Sequence, residues 1–314
     1  MRACIIFNPA ARGDRARSFR KHLDEFSGNV ALKPTVTAGH GRVLAAEAVN
    51  EGFDTIVAAG GDGTLNEVLN GIGDAPDGFA RARLAVLPLG TVNVFAKELG
   101  LPMNLRQAWK TIRAGRETQI DLPRAEFAGA DDSSGGSPNG TGGPPALPQK
   151  TQRRYFAQMA GAGLDARAIQ MVDWELKKKL AQFAYVVAGM KAMKGPHPQI
   201  TFRSGADVAA GELVLIGNGR FYGGKLPVFH SASLTDGRLD VCVFPRVNWF
   251  TVLRYGLGLL TGGAHPPANL RYFQTAALTL TAVPSAPFEL EGDVAGQVPL
   301  TISVRPRALR VIVA

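Results

Sequence analysis

The first third of the chain alternates two patterns. Short apolar runs rich in branched side chains, over 1–7, 30–37, 53–59 and 84–88, read as buried strands. Between them, 14–26, 42–50, the stretch from 67 to 71 and the stretch ending at 99 carry helical patterning. Each strand runs into a polar, turn-rich break. In order these are Asn8-Pro9-Ala10-Ala11-Arg12-Gly13, Ala38-Gly39-His40-Gly41 after Thr37, Gly60-Gly61-Asp62-Gly63-Thr64-Leu65-Asn66, and Leu89-Gly90-Thr91-Val92-Asn93. This alternation predicts an α/β domain on a largely parallel sheet. Ligands of such sheets sit outside the carboxyl ends of the strands, where all four breaks fall.

After about residue 118 the pattern changes. Strands are expected over 119–127 and 155–159, separated by 129–148, which is dense in Gly, Ser, Pro and Asp. That stretch has almost nothing to bury and reads as a disordered insertion within one hairpin. Residues 165–194 read as a helix bearing Lys177-Lys178-Lys179, and 249–260 as an apolar helix. Short alternating runs over 199–203, 212–217, 239–244, 275–282 and 288–290 predict an antiparallel β-sandwich. The expected organisation is an α/β domain over 1–118 and a sandwich domain over 119–299. The closing strand within 300–314 is expected to return to the first domain.

Composition narrows the classes. With 314 residues, 46% hydrophobic and 19% charged, the chain has the make-up of a globular protein with two cores. No apolar run reaches the ~18 residues of a membrane span. The N-terminus lacks the basic region, apolar core and cleavage site of a signal peptide, so a cytoplasmic location is expected. Cys4 and Cys242 lie inside apolar runs and read as buried free thiols, and the scattered histidines give zinc no support. A net charge of +9 and a pI near 9.8 favour phosphate-bearing partners: nucleotide, nucleic acid or anionic membrane. The aromatic–basic interleaving of nucleic-acid modules is absent, so no nucleic-acid partner is expected.

The stretch 60–66 admits two readings. Its glycines let successive N–H groups converge on a phosphate at a helix start. Equally, it is a tight strand–helix turn with Asp62 or Thr64 as the cap. Elsewhere, Gly219 to Lys225 approaches a P-loop, but Leu226 replaces the hydroxyl residue and no βα unit surrounds it. Hydrolase elbows and dinucleotide fingerprints are missing.

The ordered series of breaks, with Pro88-Leu89-Gly90-Thr91-Val92-Asn93-Val94-Phe95-Ala96-Lys97 as its last member, resembles the diacylglycerol kinase catalytic-domain superfamily. That superfamily includes bacterial lipid kinases and sphingosine kinases, and shares its glycine motif with NAD kinases and phosphofructokinases. The resemblance continues through Gly161-Ala162-Gly163-Leu164-Asp165, similar to a turn after the first hairpin. It extends to Gly217-Asn218-Gly219-Arg220-Phe221-Tyr222-Gly223-Gly224 and Leu234-Thr235-Asp236-Gly237-Arg238-Leu239-Asp240. NAD kinases lack this second set.

The resemblance implies ATP, Mg²⁺ and a lipid hydroxyl as acceptor, most simply that of diacylglycerol. Thr37, Gly60, Gly61, Asp62, Gly63, Thr64, Leu65, Asn66 and Thr91 would hold ATP, and Asp62 would organise Mg²⁺. Asn8 and Asn93 would contact nucleotide or bridge loops, with an ordinary Asx-turn as the alternative. The family's base closes an Asp-Gly-Glu motif; here Glu291-Gly292-Asp293 stands in its place, with Asp293 aligned to the base and Glu291 to the preceding aspartate. Either carboxylate is in reach of the role, and Asp293 is favoured. A structural metal in the 233–238 loop would take the Asp236 carboxylate and the Ser233 and Arg238 carbonyls, although Asp236-Gly237 is also a plain hairpin turn. Residues 180–193 and 249–260 are candidates for an acyl-chain pocket, or simply core. Peripheral contact with an anionic bilayer is implied, and a homodimer stays open. The alternatives are a sphingoid-base or other lipid kinase, or a homologue impaired in catalysis by its altered Glu-Gly-Asp order.

Overall fold

The computed structural model describes residues 1–11, 13–21, 30–128, 151–171, 197–248, 250, 258, 267 and 269–314. The insertion expected over 129–148, the lysine run 177–179 and the apolar stretch 180–193 lie outside the described residues. So does 249–260, apart from Phe250 and Gly258.

The first half is built on four parallel strands, β1 (Ala3–Phe7), β2 (Ala31–Pro34), β3 (Thr55–Gly60) and β4 (Arg83–Pro88), in the order β2-β1-β3-β4. Its helices are α1 (Asp14–Lys21), α2 (His40–Asn50), α3 (Asp62–Asp74), α4 (Gly78–Arg81), α5 (Val94–Glu98) and α6 (Leu105–Ala114). All of β1 and β3 is buried, because helices cover both faces of the sheet. Cys4, Ile6, Ile56, Ala58, Leu84 and Val86 face a core shared with Val68, Leu69 and Ile72 of α3. Ile5, Phe7, Val57, Ala59, Ala85 and Leu87, one position along each strand, face a second core with Phe19, Trp109 and Ile112. The order reverses between β1 and β3, so the crevice at their carboxyl ends is the place such a sheet offers a ligand.

The second half comprises β5 (Glu117–Ala128), β6 (Thr151–Tyr155), β7 (Met159–Gly163), α7 (Leu164–Gln170), β8 (Gln199–Ser204), β9 (Asp207–Gly211), β10 (Leu213–Gly217), β11 (Leu239–Phe244), β12 (Arg271–Thr275), β13 (Ala277–Val283), β14 (Pro287–Leu290), β15 (Asp293–Gln297) and β16 (Leu300–Ile312). Two antiparallel layers enclose its core. Ile200, Phe202, Leu278, Leu280 and Ile302 come from the larger sheet; Val214, Ile216, Val241, Phe288 and Leu290 come from a six-stranded sheet ordered β12-β11-β10-β7-β14-β15. Strand β16 serves both halves: its start pairs with β13, Val311 pairs in parallel with Leu84 of β4, and β5 runs alongside it antiparallel. One ten-stranded sheet, β2-β1-β3-β4-β16-β13-β8-β9 with β5 and β6 branching from β16, therefore crosses the molecule.

Two expectations are corrected here. Gly161 to Gly163 form no turn; they lie in β7, fully buried, and Leu164 starts α7 directly. The run 275–282 is β13, shifted to Ala277–Val283, and the strand before it, β12 (Arg271–Thr275), was not expected: the chain leaves the six-stranded sheet at Thr275 and enters the larger one at Ala277.

Asp121, buried in β5, joins the two halves near this crossing. Its carboxylate accepts N–H bonds from Gly237 (2.6 Å) and Arg307 (2.8 Å). Asp121→Ala strands both donors, each bond to a charged group contributing roughly 1.5–3 kcal/mol. A loss of about 3 kcal/mol in denaturant unfolding is expected; a loss below about 1 kcal/mol would remove Asp121 from this role.

Candidate active site

The helix α3 begins at Asp62, earlier than the sequence reading of 60–66 as a loop: Gly60 ends β3 and Gly61 is the N-cap. Gly61 has no side chain, and no side-chain cap closes the first turn of this 13-residue helix. The backbone N–H groups there are left for an outside acceptor, with the helix dipole behind them. Thr64 stands over Gly60, where a Cβ would lie 2.3 Å from its hydroxyl.

The rest of the motif is scaffold. Leu65 packs in the core. Asn66 Nδ2 and Asn70 Nδ2 both donate to the Tyr155 carbonyl (3.1 and 2.9 Å), and Tyr155 N–H donates to Asn70 Oδ1 (2.8 Å), fastening β6 to α3. Glu67, absent from the sequence-derived site, takes the N–H groups of Gly39 (2.8 Å) and Gly41 (2.9 Å) and so fixes the loop holding Thr37.

The loop after β4 packs onto the same point. Leu89 and Gly90 N–H both donate to the Gly60 carbonyl (2.9 and 3.1 Å). Asn93, left-handed at φ 51°, returns Nδ2 to the Gly90 carbonyl at 2.6 Å. Burial pushes the Asp62 carboxyl above its ordinary range, opposed by backbone hydrogen bonds from Phe95, Val94 and Asn93 at the start of α5 and by Lys97. Lys97 is itself lowered, by burial first and then by Lys225 and Arg15, with Asp62 holding it up. Lys97 thus faces the Asp62 carboxylate, with Arg15 and Lys225, from two other parts of the chain, close enough to Lys97 to be felt there. Asn8 forms the Asx-turn, its Oδ1 accepting Ala10 N–H at 2.8 Å, while Thr37 and Thr91 stand exposed on the rim.

The second half delivers two more carboxylates. A Cβ on Gly63 would lie 3.3 Å from Asp293 Oδ2, so the exposed Asp293 reaches the first turn of α3. Glu291, left-handed at φ 57° and buried, accepts N–H bonds from Ala157 (2.5 Å) and Gln158 (2.7 Å) on Oε1. Gln158 and Glu98 carry no motif signal, yet they tie the halves together. Gln158 Nε2 donates to Glu98 Oε2 (3.1 Å) and to the Phe221 carbonyl (2.9 Å), and Glu98 also takes Arg220 Nε and Phe221 N–H (3.1 Å each).

Burial pushes the Glu291 carboxyl up to about 8, against its three backbone hydrogen bonds, and Asp62 adds to the rise. The folded protein therefore holds this proton where the unfolded chain releases it. That contribution to stability is complete below about 4.5 and is lost as pH rises towards about 8. Glu291→Gln keeps the acceptor and cannot ionise. Its melting temperature relative to the parent is expected to climb across this window, and a constant difference would contradict the protonated Glu291.

The uncapped start of α3 offers backbone N–H groups of the kind that phosphate oxygens take. Magnesium takes hard oxygens, commonly one or two carboxylates plus phosphate oxygens. Asp62 offers one such carboxylate beside the cradle; no three acidic, thiol or imidazole groups form a cage among the described residues. In the 233–238 loop, Asp236 Oδ1 accepts Arg238 N–H (3.0 Å), Ser233 Oγ lies 3.3 Å from Thr235 Oγ1, and Asp121 anchors Gly237 from outside.

Residues 2–125 match the diacylglycerol kinase catalytic domain family, and residues 158–313 match the YegS C-terminal NAD kinase beta sandwich-like domain. The chain is 28% identical to a diacylglycerol kinase of Bacillus subtilis over 309 residues, covering 95% of this chain and 91% of that protein. It is 29% identical to a probable lipid kinase YegS-like of Stenotrophomonas maltophilia over 262 residues, 82% and 78% of the two chains. A solved structure from Bacillus anthracis shares the fold with a TM-score of 0.73 at 22% identity, over 100% of this chain and 97% of that one.

Proposed function

The chain belongs to the superfamily of diacylglycerol kinases and YegS-like lipid kinases, and from that premise we propose that it transfers the γ-phosphoryl group of ATP to the hydroxyl of diacylglycerol. The observation that carries this reading is the meeting of Asp293 with Gly63 at the uncapped start of α3. An anion cradle from one half and a carboxylate from the other face the same space, as transfer from a phosphate to an alcohol requires.

In this reading the N–H groups of Gly61 to Thr64 hold phosphate oxygens, and Lys97, Arg15 and Lys225 balance their charge. Asp293 accepts the alcohol proton as the acceptor oxygen attacks phosphorus. Glu291 is the positioning carboxylate, its Oε1 pinning the turn to Ala157 and Gln158. Asp62 would hold Mg²⁺, whose part is to neutralise charge on the transferring phosphoryl group. The net charge of +9 suits work at the surface of an anionic bilayer.

The test is transfer of labelled phosphate from ATP to diacylglycerol, a sphingoid base and a prenyl alcohol in mixed micelles. Labelled phosphatidic acid well above an Asp62→Ala control is expected. Product on the sphingoid base alone would change the acceptor, and no product on any lipid, with ATP still bound in calorimetry, would sink the kinase reading.

A further inference from the structure

Behind the Glu291–Asp293 turn lies a second acidic pair that the proposed chemistry does not use. Glu289, in β14, is fully buried and stands opposite Gly161 of β7 in the strand register. Asp165, in the first turn of α7, reaches the same spot: a Cβ on Gly161 would lie 2.3 Å from Asp165 Oδ2 and 2.9 Å from Glu289 Oε1. The missing side chain at Gly161 makes room for the two carboxyl groups, which gives that glycine a physical reason the sequence reading lacked.

Each carboxyl group has one oxygen committed. Asp165 Oδ1 accepts the Tyr222 hydroxyl at 2.5 Å, and Glu289 Oε2 accepts Gly292 N–H at 2.6 Å. The other two oxygens, Asp165 Oδ2 and Glu289 Oε1, are buried without a donor and converge on the space that a Gly161 side chain would fill. Two acceptors so placed are compatible only if something positive stands between them. A cation needs more oxygens than two carboxylates give, and no third ligand group accompanies them among the described residues. A proton needs nothing more, and two carboxyl groups buried together cannot both ionise.

We propose that Asp165 and Glu289 share one proton, and that this contact is the clamp that holds the Glu291–Asp293 turn over the start of α3. Glu289 holds Gly292, the residue between the two site carboxylates. Asp165 links this hold to α7 and, through Tyr222, to the 217–224 loop that Glu98 grips from the first half. Burial raises both carboxyl groups of the pair; Tyr222 on one side lowers Asp165, and Glu291 on the other adds to the rise at Glu289. Glu289 and Asp165 are positioning residues in this scheme. Their effect on turnover rests on the kinase reading, whereas the shared proton does not.

The experiment separates the two. Infrared spectra at pH 7 are compared for Glu291→Gln and the double variant Glu291→Gln/Glu289→Gln, since the first removes the neighbouring Glu291 carboxyl, which burial also raises, and the difference between the two isolates the pair. One carboxylic-acid band is expected in the first and lost from the second, because the amide introduced by Glu289→Gln then donates to an ionised Asp165. Carboxylic-acid bands that are the same in both variants overturn the shared proton. A melting temperature that rises with Mg²⁺ or Ca²⁺ and falls with chelator in the parent, but not in Glu289→Gln, would replace the proton by a cation.

For the clamp, Glu289→Ala is expected to lower kcat on the order of 100-fold with little change in the KM for ATP. Glu289→Gln, which keeps the acceptor for Gly292, is expected to recover most of that loss. Equal losses in both variants overturn the clamp. Absence of turnover in the parent, with the infrared result intact, counts against the kinase reading and not against the pair.

Discussion

Replacing Asp293 by Asn is expected to lower the rate of phosphoryl transfer by about 10³-fold, within the range that loss of a positioned proton acceptor produces. The substitution keeps the shape of the side chain beside Gly63 and removes only its ability to take a proton. It also removes a negative charge from the mouth of an anion cradle, so ATP should bind at least as well as before. Single-turnover transfer measured beside calorimetric ATP binding separates the two effects. A loss below tenfold would take Asp293 out of the role. A loss in Glu291→Gln exceeding that in Asp293→Asn would move the base to Glu291, whose raised carboxyl and contact with two backbone N–H groups assign it here to positioning.

The second large effect is structural and sits at Gly90. A Cβ there would lie 2.4 Å from Gly61 Cα and 2.8 Å from Asn93 Oδ1, so a methyl group meets backbone that cannot turn aside. The loops after β3 and β4 must part, which breaks the bonds from Leu89 and Gly90 N–H to the Gly60 carbonyl. Gly90→Ala is expected to cost about 3 kcal/mol in stability, the upper end of ordinary overpacking. It should also weaken ATP binding on the order of 100-fold, since losing one or two charge-assisted bonds costs about 3 kcal/mol. Gly63→Ala is the matched comparison. Its Cβ meets only the flexible end of Asp293, at 3.3 Å, in a helical first turn, so the fold should keep its stability. Equal destabilisation by both would show that loop contact is not what Gly90 provides.

Much of the fold was legible. Strands β1, β3 and β4 are apolar at nearly every position, and the chemistry of their following turns marks the carboxyl edge of a parallel sheet. The alternating runs of the second half likewise announce an antiparallel sandwich. Less visible were β9 and β15, strands with several exposed positions and short spans, and the change of sheet between Thr275 and Ala277. In the site, the motif picked out Gly61, Asp62 and Gly63. It also drew in Leu65 and Asn66, whose side chains serve the core and β6. Glu67, Glu98, Asp121 and Gln158 escaped because each bonds to backbone or to a residue far away in the chain, and a pairing over such separation leaves no local pattern.

The order of strands, helices and glycine turns, and hence the family, lay in the sequence itself. Local periodicity and turn chemistry are properties of neighbouring residues, and they survive without coordinates. Which carboxylate faces the cradle was decided only in three dimensions. Asp293 and Glu291 are two residues apart, but the left-handed turn at Glu291 and Gly292 sends one to the exposed cleft beside Gly63 and buries the other against Ala157 and Gln158. The same holds for Asp165 and Glu289, brought together by the pairing of β7 with β14 around a glycine. Burial is what raises the Glu291, Asp165 and Glu289 carboxyl groups, and it is not a property of the chain until it has folded.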